Sequence, residues 1–208
     1  MSVHTAYIID AATGDPVQVE LDDDLTVDVL LDVEDQWKVP REELRAKLRA
    51  LGVARKDWPE SLWWDWGMKS VRLAFGDPND FRIMALRRQA VWEAAMVTRS
   101  KNHVALLAPD IGKPIVYVDF LEVAPWNWTI DKIQNRKFKA SGPVLLRAAL
   151  EQSYAKGWDG RVGLHALPQA ASFYLGQGLQ FVKNDPAKQD LPYYEISAAE
   201  ALKRTGRR

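Results

Sequence analysis

Apolar and polar positions change period several times along the chain, and each change marks an element. Ala6 and Ile8, then Val17, Val19 and Leu21, alternate on either side of Ala12-Thr13-Gly14-Asp15, predicting a hairpin over residues 3–21. The Asp22-Asp23-Asp24 run reads as a solvated bend, and it has no flanking ligands spaced to hold a metal. Residues 25–38 fit a strand or a helix equally. Leu44, Leu48 and Leu51 recur at helical spacing after Pro40, and Gly52 follows, so a helix is predicted over 40–51. A second helix is predicted over 58–74, with Asp57 and Glu60 as a capping pair and Pro59 in its first turn. One helical stripe cannot accept all the indoles of Leu62-Trp63-Trp64-Asp65-Trp66, so some must lie on a second face.

Strands are predicted over 81–88 and 91–99. A turn-rich connection containing Lys101-Asn102-His103 leads to a long strand that starts at Ile115 and ends at Pro125. A cationic loop closes with Lys137-Phe138-Lys139-Ala140-Ser141-Gly142, and a helix over 143–156 buries Leu146, Ala149, Leu150 and Tyr154 before Gly157. A strand over 161–166 precedes a helix carrying Phe173, Tyr174 and Gly178. Strands over 179–182 and 193–196 and a short helix over 198–203 complete the chain. This order specifies an α/β or α+β protein.

The segment 115–181 carries the clearest chemistry. A helix N-terminus offers backbone N–H groups without intrahelical partners, and its dipole favours anions. Small residues at 140, 141 and 142 admit a phosphate close to the backbone, Pro143 suits the first helical turn, and Lys137 and Lys139 bring positive charge.

The same segment resembles the GNAT acetyltransferase superfamily. Leu121, Val123 and Pro125 match the Leu-x-Val-x-Pro that ends the family's fourth strand. Lys137, Ala140 and Gly142 stand where its phosphate loop reads Gln/Arg-x-x-Gly-x-Gly/Ala, Leu145-Leu146 follow, and Tyr174, Gly178 and Leu179 match Tyr-x-x-x-Gly plus an apolar residue. The chain departs from the pattern at Ala140 and Lys137, and residues 126–137 lengthen the stretch before the loop. The resemblance implies one GNAT-like domain over 1–208, with an N-terminal hairpin over about 1–35 and a cofactor core over about 115–181. Its sheet would be mixed, mostly antiparallel, flanked by helices and splayed at the cofactor strand.

It also implies acetyl-CoA as co-substrate and an amine of a small molecule or protein as acceptor. Leu121, Val123, Lys137, Phe138, Lys139, Ala140, Ser141 and Gly142 would bind the cofactor. Tyr174, whose phenol stays protonated at neutral pH, would act as acid. Glu122 is a candidate base, with Asp119 and His165 as alternatives. Trp63, Trp66 and Trp126, with His165, would line the acceptor side. A competing reading is a non-catalytic GNAT-like fold that binds acyl-CoA or a protein partner, and a homodimer is left open.

Composition narrows the classes. Among 208 residues, 28 Lys+Arg balance 28 Asp+Glu, which argues against a protein devoted to nucleic acid. Hydrophobic residues at 47% and charged residues at 27% describe an ordinary globular chain. The absence of cysteine excludes disulfides and thiolate metal sites. No apolar run is long enough to span a bilayer and no signal sequence is evident, so a cytoplasmic protein is expected.

Overall fold

The computed structural model describes residues 3–130 and 133–207. Nine strands are formed: β1 (Val3–Asp10), β2 (Pro16–Leu25), β3 (Phe81–Arg88), β4 (Val91–Arg99), β5 (Val116–Val123), β6 (Phe138–Lys139), β7 (Val162–His165), β8 (Gln180–Asp185) and β9 (Leu191–Ile196). Among the described residues five α-helices accompany them: α1 (Val29–Ala50), α2 (Trp66–Ala74), α3 (Ser141–Ala155), α4 (Ala171–Gly176) and α5 (Ala198–Thr205). The strands make one mixed sheet in the order β6-β1-β2-β3-β4-β5-β7-β9-β8. The β1–β2, β2–β3, β7–β9 and β8–β9 pairs are antiparallel and the β5–β7 pair is parallel. Pairing of β5 with β7 covers only Val116, Tyr117 and Val118, so Leu121 and Val123 lie beyond it. The sheet and its flanking helices match the predicted fold class.

The chain divides into two compact units, Met1–Met96 with Leu121–Leu145, and Val97–Phe120 with Leu146–Arg208. In the first unit the ambiguous 25–38 stretch divides: Leu25 ends β2, and α1 makes helix from Val29 onward. The helix predicted from Pro40 starts a full eleven positions earlier, at Val29, and Pro40 lies inside it. Proline removes one helical hydrogen bond there. The helix continues because Leu30, Val33, Trp37, Arg41, Leu44 and Leu48 form one buried stripe, and each large apolar side chain buried contributes about 1.5–3 kcal/mol. The far end of that stripe packs Leu44 and Leu48 against Trp58 and Leu62, joined by Val53, Trp128, Ile130 and Ile133.

Two further expectations are corrected. The Asp22-Asp23-Asp24 run is strand rather than bend, with Asp22 buried. Across β3, Arg87 lies 4.0 Å from Asp22 and Arg82 lies 3.7 Å from Asp23, so the charges are tolerated in the ladder. The helix predicted over 58–74 is broken into 3₁₀ turns at Arg55–Asp57 and Glu60–Trp63, and only Trp66–Ala74 is α-helical. Its cap is Asp65, whose side chain accepts from the Met68 N–H, not Asp57. The break lets Trp58 and Trp63 stack face to face, with centroids 5.9 Å apart and planes 5° from parallel.

The short β6 strand joins the segment that precedes α3 to the opening hairpin. Ile9 faces Lys139 and Asp10 faces Phe138, while the Ala11 N–H donates to the Lys137 carbonyl. In the second unit, a Cβ on Gly163 would lie 2.3 Å from the Tyr193 hydroxyl, so only glycine fits that position of β7. Glu195 on β9 is buried and accepts the Leu106 and Leu107 N–H groups, fixing the connection that precedes β5.

Candidate active site

Residues 137–142 lead into α3, which starts at Ser141, two positions before the predicted Pro143. Phe138 is buried, and its N–H donates to the Asn127 side chain at 2.9 Å. Lys137 and Lys139 are exposed, the former with its ammonium 5.6 Å from the Phe138 ring. Ala140 holds φ +73°, the left-handed conformation in which glycine is at home. The backbone shape expected of glycine is thus kept with a Cβ present. The Ser141 and Gly142 amides begin α3, where no intrahelical carbonyl is available to them. Ser141 is buried, yet its Oγ has no hydrogen-bond partner among the described residues.

The long stretch before the loop is pinned by one carboxylate. Glu93 on β4, wholly buried, accepts from Trp126 Nε1 at 2.8 Å, from Asn127 Nδ2 at 2.9 Å and from Arg88 Nε at 2.9 Å. Gln134 donates to the Pro125 carbonyl and Trp128 to the Val123 carbonyl. Trp126, Asn127, Trp128 and Gln134 are thereby braced against Glu93 and the end of β5. The half-buried Trp126 borders a cavity of about 350 Å³ with Pro40, Glu43, Leu44, Lys47, Pro125 and Gln134.

Glu122 sits on the buried face of β5. Trp66 Nε1 donates to its Oε2 at 2.5 Å, while Oε1 has no partner among the described residues. Burial pushes its carboxyl up to about 7, although the Arg41 guanidinium, the Trp66 hydrogen bond and the Lys69 ammonium oppose the shift. Arg41 is itself paired with Glu34 at 3.0 Å. Burial lowers Lys69, with Glu122 acting in the other direction. Trp66 is fully buried, meets Trp37 edge-on at 6.2 Å and donates to Glu122, so it is packed in the interior instead of facing an acceptor. Trp63 is not part of this group: it is 46% exposed and faces Arg45 and Arg55. Asp119, the alternative base, is occupied by Arg99 at 2.7 Å.

In the second unit, Tyr174 lies on α4 with its ring buried beside Phe173 and Tyr194. Burial alone pushes its hydroxyl up to about 12. The Tyr-x-x-x-Gly spacing has a structural reason. Gly178 takes φ +87° just past the helix, and a Cβ there would come within 2.8 Å of Arg204 Nε. His165 Nε2 lies 3.1 Å from Asp185 Oδ2 and Nδ1 lies 2.8 Å from the Tyr117 hydroxyl. Burial lowers the imidazole below its ordinary value. A neutral ring satisfies both contacts by donating from Nε2 to Asp185 and accepting the Tyr117 O–H at Nδ1. That arrangement spends the lone pair a base would need.

Sequence reasoning missed Glu93 and Tyr117, whose partners Trp126, Asn127 and His165 are distant in sequence, and the Glu34–Arg41 pair, which goes on to meet Trp66 and Trp64 far along the chain. No group of His, Asp or Glu among the described residues is placed to hold a metal ion, and no described helix is long and apolar enough to cross a membrane.

No known protein family and no curated protein matches the sequence. Solved structures do match by fold. An uncharacterized protein from Bacillus halodurans superposes with a TM-score of 0.58 at 10% identity, covering 99% of this chain and 96% of that one. A GNAT-family acetyltransferase from Listeria monocytogenes gives 0.53 at 10% identity over 91% and 98%. The GNAT domain of S. lividans PAT gives 0.52 at 13% identity over 93% and 96%. The chain has the GNAT acetyltransferase fold.

Proposed function

We propose that the protein is an acetyl-CoA-dependent N-acetyltransferase acting on an amine of a small molecule or a protein. The observation that carries this reading is the start of α3. There Ala140 is held left-handed, directly before a buried Ser141 hydroxyl that has no hydrogen-bond partner among the described residues. A left-handed alanine costs about 1–2 kcal/mol, and such strain persists where surroundings enforce it, commonly at ligand sites. These groups fit a pyrophosphate: the Ser141 and Gly142 amides and the Ser141 hydroxyl donate to it, and Lys137 and Lys139 supply charge. Leu121 and Val123 would offer strand backbone to the pantetheine arm, beyond the part of β5 that pairs with β7.

Acetyl-CoA supplies the acyl group as an activated thioester. The chain's own residues handle the protons. An alkylammonium with pKa near ~10.4 is not a nucleophile, so the acceptor must lose a proton. Glu122 takes it on the unpartnered Oε1 while Trp66 holds Oε2. A carboxyl near 7 is half ionised at neutral pH, so it can take up and give up a proton there. Tyr174, pushed to about 12, lies well above an ordinary thiol near ~8.5. It therefore serves the leaving sulfur as a hydrogen-bond donor and keeps its own proton. Trp126, beside its small cavity, is the aromatic residue best placed to meet the acceptor.

Calorimetric titration with acetyl-CoA tests the reading, in the wild type and in Ser141→Asp. An acid at a helix N-terminus is compatible with the helix but repels phosphate. Binding weakened more than tenfold by the substitution is expected, together with amine-dependent release of free thiol. Binding without turnover across a broad amine panel would favour a non-catalytic acyl-CoA binder. No binding at all would end both.

A further inference from the structure

A second open cavity of the first unit lies elsewhere, and none of its lining belongs to residues 137–145. It measures about 710 Å³ and is lined by Glu42, Arg45, Arg49, Arg55, Trp58 and Trp63, with Gly52 and Val53 at its floor. The last turns of α1 supply Glu42, Arg45 and Arg49, and the broken 55–63 segment supplies the rest. Trp58 is fixed by an Nε1 hydrogen bond to the Val53 carbonyl, and Trp63 stacks on it. Arg55 and Arg45 place their guanidinium carbons 4.7 Å and 5.6 Å from the Trp63 ring centre. Cation–π stacking orients a guanidinium by its face and leaves its in-plane N–H donors available.

The charge here is out of proportion to the chain. Three guanidiniums face one carboxylate in a protein whose total charge is zero. Glu42 lies 3.8 Å from Arg45, whereas Arg49 and Arg55 have no carboxylate within ion-pair distance among the described residues. The negative end of the α1 dipole accounts for a cation at Arg49. It does not account for Arg55, which comes after the helix and is held over an indole.

We propose that this cavity binds a phosphate-bearing small molecule of nucleotide size, with its phosphates on Arg45, Arg49 and Arg55 and its ring against the exposed edge of Trp63. Planar guanidiniums pair bidentately with phosphate oxygens, and three of them suit a dianion. The volume falls among small-molecule sites and exceeds what a lone phosphate fills. The compact cluster, in place of an extended basic row, favours a small ligand over nucleic acid. The inference stands apart from the acetyl-CoA reading.

The test is calorimetric titration of the full chain with ADP, inorganic pyrophosphate, adenosine and an oligothymidylate, repeated in R49E/R55E and in Ser141→Asp. Both arginines are exposed, so the double variant should melt as the wild type does, and the single Arg55→Gln serves if it does not. ADP and pyrophosphate should bind and adenosine should not. The double variant should weaken ADP at least tenfold, Arg55→Gln should weaken it severalfold, and Ser141→Asp should leave it unchanged. ADP binding lost in Ser141→Asp but kept in the arginine variants would overturn the proposal by moving the ligand to α3. Absence of ADP binding, or an oligonucleotide binding much more tightly than ADP, would overturn it as well.

Discussion

Glu93 and Glu122 are buried carboxylates of the same unit, and they are treated in opposite ways. Glu93 spends its oxygens on Trp126, Asn127 and Arg88, and so braces the chain just after β5. Among the described residues Glu122 has one donor, Trp66, and its other oxygen is left without a partner in a site that raises its pKa to about 7. Burying a charge is costly unless its hydrogen-bonding capacity is met. A fully served carboxylate is architecture. One left half served retains a proton affinity that chemistry can use.

The largest effect that could break this contrast is Glu122→Gln. It should lower kcat/KM by about 10³-fold and remove the limb of the pH profile centred near 7, since glutamine still accepts from Trp66 but takes no proton. The stability effect has the opposite sign. Because the folded pKa lies above the unfolded value of 4.5, the folded state binds the extra proton between 4.5 and 7. Wild-type stability therefore declines as pH rises through that window and levels off above it. Relative to its advantage at pH 4, the variant should gain up to about 3 kcal/mol at pH 8 by urea unfolding. An unchanged pH–rate profile would remove Glu122 from the mechanism.

Glu93→Ala should do the reverse, costing about 3 kcal/mol of stability by stranding buried donors. A urea midpoint unchanged by this substitution would refute its bracing role. Tyr174→Phe comes next: a fall of about tenfold in kcat is expected with the acetyl-CoA Kd unchanged, because only one hydrogen bond is lost. Equal turnover in the two proteins would leave Tyr174 as packing. The smallest effect belongs to Ala140→Gly. Relief of the left-handed strain outweighs the added unfolded-state freedom by about half a kcal/mol, so the melting midpoint should rise slightly. A fall would mean that the Ala140 methyl group contributes packing the backbone angle does not reveal.

The readable and unreadable parts of the fold differ by the range of the interactions behind them. Strands β3 and β4 and helix α3 follow local periodicity, and the sequence predicts them almost to the residue. The loop at 137–142 is legible because a helix start needs small residues and proline nearby. Asp22 and Asp23 mislead because their partners Arg87 and Arg82 arrive about sixty positions later. The 58–74 stretch misleads because the Trp58–Trp63 stack, a tertiary gain, outcompetes a continuous helix. Glu122 is visible as a candidate, but its open oxygen is a property of the packed interior alone.

The pairing of β6 with β1 bears on how the protein is made. Ile9 and Lys139 are neighbours in space and far apart in sequence. Such a contact closes a long stretch of chain and contributes to slow folding. During synthesis the opening hairpin waits, with one edge bare, until residue 139 has left the ribosome. Only then does the segment ahead of Ala140 gain the neighbour that shapes it, so ligand-binding competence should be acquired late, as the sheet's outermost ribbon is laid in place.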